Sequence, residues 1–148
     1  TLVQKGVFSF HMSEEIWLNP LLLAQKSKDD LAKNRMGWDL LLDLDGLDYA
    51  YAKLVAQIIL DHLKEIGVHN GSIKFSGNKG FHIAIPFAAF SKNIVGIGET
   101  RTLFPEAPRR ITSYLVYELR GKIAQALLET VGSIEVIAKK HNLRIAKI

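Results

Sequence analysis

The chain contains no cysteine, so disulfide bonds and zinc sites built on thiolates are excluded. Its apolar runs are short, and none approaches the ~18 residues that a membrane-spanning helix needs. The first ten residues also lack the basic-then-apolar order of a secretory signal peptide. These absences lead us to expect an intracellular, cytoplasmic protein that has no membrane partner and binds no zinc.

The charged fraction of 23% is that of an ordinary globular protein, and the excess of one sign is small. Lys and Arg number 19 against 15 Asp and Glu, which gives a net charge of +4. This small excess favours an anionic partner without identifying it. A length of 148 residues fits one domain, and we expect a single domain over residues 1–148. Because the chain begins without Met and stops at Ile148 without a terminating turn, we expect it to be truncated at its C-terminal end.

Apolar periodicity predicts an α+β fold with a mixed or antiparallel sheet that is flanked by helices. Alternating patterns predict strands over residues 38–45, 72–75 and 81–85. Helical spacing predicts one helix from Asp48, as its N-cap, to Ile66, and a second from Pro108 to about Gly132. Weaker patterns predict possible strands at 7–11, 134–138 and 143–148, and an exposed functional loop over 91–106.

The first predicted strand ends on two aspartates, Asp43 and Asp45, that alternation places on one face. A turn at the edge of a sheet explains a bare Asp-x-Asp about equally well. Burying an unpaired charge inside an apolar strand, however, costs on the order of several kcal/mol of folding free energy unless a cation or a hydrogen-bond donor compensates it. The pattern therefore favours a site for hard divalent cations, which prefer carboxylate oxygens.

The second segment of chemical interest runs Ser76-Gly77-Asn78-Lys79-Gly80-Phe81-His82. Its two glycines permit positive φ angles and a close backbone approach, so that amide N–H groups could bind phosphate oxygens. The segment also supplies a hydroxyl, an ammonium and an imidazole. The alternative is an ordinary hairpin turn with an exposed lysine. Strand alternation places Asp43, Asp45, Ser76 and His82 on the same face, so we expect the active site on one side of the sheet.

This ordered pair of motifs resembles the archaeo-eukaryotic primase superfamily. That group includes small primase subunits, primase-polymerases and the polymerase domains of bacterial end-joining ligases. Its first motif is a hydrophobic strand that ends in Asp-x-Asp, and its second is Ser-Gly-x-x-Gly-x-His; both match here at every fixed position. The flanking residues 35–39 and 108–115 also look like archaeal members, so that the resemblance covers residues 35–120.

The resemblance implies a primase-polymerase-like catalytic core that acts as a template-dependent nucleotidyltransferase. In it, Asp43 and Asp45 would coordinate two Mg²⁺ or Mn²⁺ ions. The triphosphate of a nucleoside triphosphate would be bound by side chains and backbone amides of the loop and the strand that follows it: Ser76, Gly77, Asn78, Lys79 and His82. The other implied partners are a DNA template or primer and a large primase subunit or another replication or repair protein.

The superfamily carries a third metal-binding aspartate on a later strand, and this sequence has no match to it. We expect that carboxylate just past Ile148, and without it we expect weak metal and nucleotide binding and poor catalysis.

Several basic and aromatic residues are weaker candidates. Arg101, Arg109 and Arg110 could contact nucleic acid, although an exposed helix start explains them about equally well. Trp17, Trp38 and Phe81 could stack on bases, but aromatic residues beside leucines are usually core. A basic C-terminal cluster is more typical of a solvated face than of a duplex contact; its members are Lys139, Lys140, His141, Arg144 and Lys147.

Two other functions remain open. The segment 41–46 also looks like the first motif of haloacid dehalogenase-type phosphatases, in which Asp43 would be the nucleophile and Asp45 a general acid. Those enzymes need a later acidic pair, which does not appear after the glycine loop, and His82 would have no role. The third possibility is a non-catalytic nucleotide- or nucleic-acid-binding module.

Overall fold

The computed structural model describes residues 1–8, 12–25, 27–46 and 48–142, and it has a mixed α+β fold. The strands are β1 (Glu15–Trp17), β2 (Arg35–Trp38), β3 (Leu40–Leu44), β4 (Ser72–Phe75), β5 (Phe81–Ile85), β6 (Asn93–Ile94) and β7 (Gly98–Glu99). The α-helices are α1 (Lys28–Asn34), α2 (Tyr49–Glu65), α3 (Glu106–Val131) and α4 (Ile134–His141). Short 3₁₀ turns occur at Val3–Lys5, Pro20–Gln25, Phe87–Ala89 and Thr100–Thr102.

The central sheet has three antiparallel strands in the order β3-β5-β4. Leu42 of β3 lies opposite Ile83 of β5, and Ile83 lies opposite Ile73 of β4. Ile83 is fully buried, whereas Ile73 is half-exposed. The middle strand is therefore the buried one, and β4 is an exposed outer strand. Two smaller sheets, β1-β2 and β6-β7, each consist of two antiparallel strands.

One face of the central sheet packs against α2, and α3 packs against α2 and β3. The N-cap of α2 is Asp48, whose carboxylate accepts a hydrogen bond from the Ala50 N–H at 2.9 Å. The core that these elements enclose consists of Trp38, Leu40, Leu42, Ala52, Ala56, Ile58, Ile59, Leu63, Phe81, Ile83, Ile85, Leu115 and Leu119. Across the described parts of the chain, no helix has the length and apolar character needed to cross a membrane.

The antiparallel pair of β1 and β2 is held by a largely buried ion pair. The Arg35 guanidinium binds Glu15 at 2.5 Å and stacks between the rings of Trp17 and Phe104. At the end of β2, the buried Trp38 donates its indole N–H to the carbonyl oxygen of Thr100 at 2.9 Å. These contacts tie the first third of the chain to the segment that precedes α3.

The main sequence predictions are confirmed. The strands over 72–75 and 81–85 have the predicted bounds, and the predicted helix from Asp48 is α2. The strand predicted over 38–45 is instead divided at Asp39, because its side chain accepts a hydrogen bond from the Phe87 N–H. Its second part, β3, ends at Leu44, so Asp45 lies just outside the strand. Helix α3 begins at Glu106, two residues before Pro108, which is tolerated there because the first turn needs no N–H donors.

The strand predicted at 134–138 is wrong, because those residues lie in α4. The Ser133 side chain caps that helix by accepting from the Val136 N–H. The loop predicted over 91–106 contains the β6-β7 hairpin and a 3₁₀ turn. The predicted strand 143–148 and residues 9–11 of the predicted strand 7–11 lie outside the described residues, and Val7 and Phe8 are not in a strand.

Candidate active site

A row of three polar side chains crosses the open face of the central sheet. The strand register places Asp43 of β3 opposite His82 of β5, and His82 opposite Lys74 of β4. The His82 Nε2 lies 3.3 Å from the Asp43 Oδ1. Their neighbours along the strands, Leu42 and Ile83, are buried on the opposite face. An acid, an imidazole and an ammonium group are therefore adjacent on the side that faces away from the core.

The loop between β4 and β5 is closed by its first and last residues. The Ser76 N–H donates to the Gly80 carbonyl at 3.0 Å, and the Gly80 N–H donates to the Ser76 Oγ at 3.2 Å. Gly77 has a φ of 101°, which L side chains rarely adopt. Within the residues that the structure describes, the N–H groups of Gly77, Asn78 and Lys79 donate no hydrogen bond. Three successive free amides of this kind are suited to an anion.

The two sequence motifs meet at Gly80. A Cβ atom on Gly80 would lie 2.6 Å from the Leu44 carbonyl oxygen, 2.9 Å from the Asp45 Oδ1 and 3.1 Å from the Ser76 Oγ. Gly80 does not have a positive φ, so the close approach of β3, rather than the backbone angle, requires a glycine here. The Asp45 carboxylate and the Ser76 hydroxyl therefore both lie beside Gly80.

Asp43 and Asp45 are both exposed, so their carboxylates are open to a ligand. Asp43 lies within β3, and Asp45 follows the last residue of this strand, Leu44. Among the described residues, no group of three or more His, Asp or Glu side chains is arranged around a metal position. Two carboxylates nevertheless fit Mg²⁺ or Mn²⁺ of the kind that completes its coordination with water and substrate phosphate, because such ions need only one or two protein ligands.

Open space lies along the outer edge of β3. In the described part of the chain, β3 pairs only with β5, so its other edge has no strand partner. Cavities of about 240 Å³ and 340 Å³ both include Asp43 in their lining. The smaller one extends towards Thr112 and Val116 of α3, and the larger one includes Asp45 and Tyr51. A further group could therefore approach Asp43 from this edge.

The three arginines predicted to contact nucleic acid have different partners in the structure. The Arg101 guanidinium donates to the Arg35 carbonyl at 3.1 Å and pairs with Glu99 at 2.7 Å. Arg110 pairs with Glu106, one turn earlier on α3. Arg109 is exposed and forms no ion pair among the described residues. Their role as nucleic-acid contacts stays a prediction, and Arg101 already holds β2 to the segment before α3.

The aromatic candidates are structural. Trp38 is fully buried and Phe81 is 9% exposed, so neither ring is available to a nucleobase. Trp17 packs against the Arg35 guanidinium. These rings therefore belong to the core or pack beside it, as expected for aromatic residues next to leucines.

The basic cluster falls partly on α4, while Arg144 and Lys147 lie outside the described residues. Lys140 donates to the Asp48 carboxylate at 2.9 Å, which fixes α4 to the start of α2. This hydrogen bond lowers the pKa of Asp48, with the Ala50 N–H acting in the same direction, and it raises the pKa of Lys140. At least one member of the cluster is therefore a structural contact.

Strand parity also predicts Lys74 on the face that carries Ser76 and His82, although the sequence prediction assigned this lysine no role in the site. The structure places it directly across from His82, on the face that carries Asp43.

The fold and the site together define a mixed α+β protein with acidic and basic side chains on one sheet face. The chain is similar to an uncharacterized protein of Methanocaldococcus jannaschii, with 30% identity over 109 residues. The match covers 73% of this chain and 24% of that protein, so the chain spans about a quarter of the length of this relative. No protein-family model matches the chain, and no solved structure matches it.

Proposed function

We propose that this chain is the primase-polymerase-like core of a template-dependent nucleotidyltransferase, which joins nucleoside triphosphates into a nucleic-acid chain. The observation that carries the proposal is the meeting of the two motifs. Asp43 lies 3.3 Å from His82, and Asp45 borders Gly80 of the loop whose amides are free. A turn of purely structural use would not need two open carboxylates, an imidazole and free amides at one place.

In this function the loop binds the triphosphate. The N–H groups of Gly77, Asn78 and Lys79 and the Ser76 hydroxyl donate to phosphate oxygens, and the Lys79 ammonium offsets their charge. His82 donates from Nε2 to an oxygen held beside Asp43, and Lys74 is the next cation across the sheet. Asp43 and Asp45 would hold Mg²⁺ or Mn²⁺. When bound, these ions lower the pKa of the attacking 3′-hydroxyl and neutralise the pyrophosphate that leaves.

The proposal includes a third carboxylate supplied by a longer form of the protein, beside Asp43. The unpaired edge of β3 and the cavities along it supply room for such a group. The greater length of the similar archaeal protein is compatible with further chain of this kind. A large primase subunit, or another replication or repair protein, belongs to the same proposal as a partner.

The first test is primer synthesis and extension by the full-length protein with Mg²⁺ or Mn²⁺. We expect Asp43→Ala/Asp45→Ala to abolish synthesis, because the variant has no carboxylate to hold the ions. Undiminished synthesis in this double variant would remove both residues from the mechanism. A parallel assay with an aryl phosphate tests the other chemistry: turnover that Asp43→Asn abolishes would instead assign a phosphatase.

The second test concerns His82. Because its Nε2 lies beside the first carboxylate, we expect His82→Ala to weaken nucleoside triphosphate binding more than template binding. Titrations of the two ligands measure the difference, and Lys64→Ala, at an exposed ion pair on α2, is the matched control. Equal losses for nucleotide and template would contradict the assigned role.

A further inference from the structure

Two aromatic rings lie half-exposed beside the glycine loop. The rings of Tyr49, at the start of α2, and Phe75, at the end of β4, meet edge to face with centroids 5.6 Å apart. Tyr49 is 47% exposed and Phe75 is 44% exposed. Both rings contact the buried Phe81, with centroid distances of 5.4 Å and 5.6 Å. The pair is therefore held from below while its outer surface stays open.

A lysine lies beside this pair on α2. Lys53 follows Tyr49 by one helical turn, so it lies on the same side of the helix. Among the described residues Lys53 forms no ion pair, and the nearby Asp48 is already bound by Lys140. Open aromatic faces with an uncompensated cation beside them match the chemistry of single-stranded nucleic acid, whose bases stack while its phosphates need positive charge.

We propose that Tyr49 and Phe75 form a stacking surface for the bases of a single strand, and that Lys53 contacts its phosphates. This inference deepens the proposed function, on which it rests for the identity of the strand as a template. The occupant is a strand and not the incoming nucleotide. Phe75 faces the same side of the sheet as Phe81, whereas Asp43 and His82 face the other side.

Fluorescence anisotropy measures the binding of a labelled oligothymidylate of about twenty nucleotides to the full chain and so tests this surface. We expect Tyr49→Ala to weaken binding by about fivefold or more, the effect of losing one base stack, and Tyr49→Phe to keep wild-type binding. Phe75→Ala should have an effect of similar size. Tyr117→Ala is the matched control, since that tyrosine is 64% exposed on α3. Wild-type affinity in Tyr49→Ala, or an equal loss in Tyr117→Ala, would overturn the proposal.

The salt dependence of binding tests the contact between Lys53 and phosphate. Each phosphate contact in a single strand contributes about 0.7 to the slope of log binding constant against log salt concentration. We expect Lys53→Gln to reduce the slope by about this amount, and Lys122→Gln, whose ammonium lies near Glu65 at the other end of α2, to leave it unchanged. An unchanged slope in Lys53→Gln would contradict the phosphate contact.

The outcome is separable from that of the proposed function. Asp43→Asn/Asp45→Asn should bind the oligothymidylate as wild type does, because these carboxylates lie on the opposite face. If the full-length protein makes no nucleic acid but Tyr49→Ala still loses binding, the stacking surface stands and the polymerase proposal falls. If synthesis is normal and Tyr49→Ala binds normally, the reverse holds.

Discussion

At the scale of single residues, the two loop glycines are required for different reasons. Gly77 has a positive φ with open space around the position of a Cβ atom. Gly80 has an ordinary φ, but the Leu44 carbonyl occupies the space that a Cβ would need. The first glycine therefore shapes the loop, and the second lets the loop approach β3, which brings Ser76 towards Asp45.

The prediction at this scale is that Gly80→Ala destabilises the fold and separates the two motifs. The atom it meets at 2.6 Å belongs to the backbone of β3, which cannot rotate away. Overpacking of this kind costs about 1–3 kcal/mol in unfolding free energy, and denaturant titration measures it. Nucleoside triphosphate binding should weaken in the same variant, because the loop must move from Asp45.

Gly121→Ala is the matched control for this substitution. Gly121 lies within α3, and no atom would lie within 4 Å of an added Cβ. We expect this change to stabilise the protein by about 0.5–1 kcal/mol, the usual gain from replacing Gly with Ala in a helix. A Gly80→Ala variant that unfolds at the wild-type denaturant concentration would contradict the close approach of loop and strand.

At the scale of elements, Asp48 has two tasks. One carboxylate oxygen caps α2 through the Ala50 N–H, and the other accepts from Lys140 of α4. Asn is as good an N-cap as Asp but carries no charge. The two tasks can therefore be separated by substitution.

We expect Asp48→Ala to lower the Tm more than Asp48→Asn, because only the first variant loses the cap. Lys140→Met should lower it in wild type but not further in Asp48→Ala, where the ion pair is already gone. Thermal melts of the wild type, the three single variants and the Asp48→Ala/Lys140→Met double variant measure this. Additive losses in the double variant would show that the two side chains do not interact.

The pH dependence follows from the shifted pKa values. Since the Asp48 pKa is lowered, its contribution is present above the ordinary carboxyl value of 3.8 and is lost as the pH falls through the folded-state value. Since the Lys140 pKa is raised, its contribution is present below 10.5 and is lost above the folded-state value. We therefore expect the Tm difference between wild type and Lys140→Met to be present at pH 7 and to vanish in strong acid.

The elements differ in how far their sequence determined them. Strands β4 and β5 and helix α2 were predictable, because apolar alternation and helical spacing are properties of consecutive residues. Parity then placed Asp43 and His82 on one face, whereas their direct pairing depends on the register between β3 and β5. The break at Asp39 was not predictable, because it depends on the Phe87 N–H, which is 48 positions away.

Helix α4 and the stacking surface show the same limit. The run at 134–138 is rich in β-branched residues, yet the Ser133 cap and the contact with Asp48 make it a helix. Phe75 has the parity of a core residue, and only its place on an outer strand leaves it exposed. Local pattern identifies the face of a side chain but not whether that face is covered.

At the scale of the whole molecule, the central sheet has a buried middle strand, and neither of its edges pairs with another strand of the described residues. The candidate site lies across all three strands, so a ligand bound there contacts both edges through Asp43 and Lys74. A ligand of this kind stabilises the folded state and not the unfolded chain, and its binding therefore raises the Tm.

The final prediction is a Tm increase with Mn²⁺ and a nucleoside triphosphate together. At a free ligand concentration of 100 times the Kd, linkage supplies about 2.7 kcal/mol, which corresponds to a rise of roughly 5–10 °C in a chain of this size. Asp43→Ala/Asp45→Ala should lose most of the rise, because the ions that join the triphosphate to the sheet have no ligands. Asp61→Asn, an exposed carboxylate elsewhere on α2, should keep it. An equal rise in the double variant would show that the nucleotide binds away from the two aspartates, because a ligand that binds anywhere on the folded state alone raises the Tm.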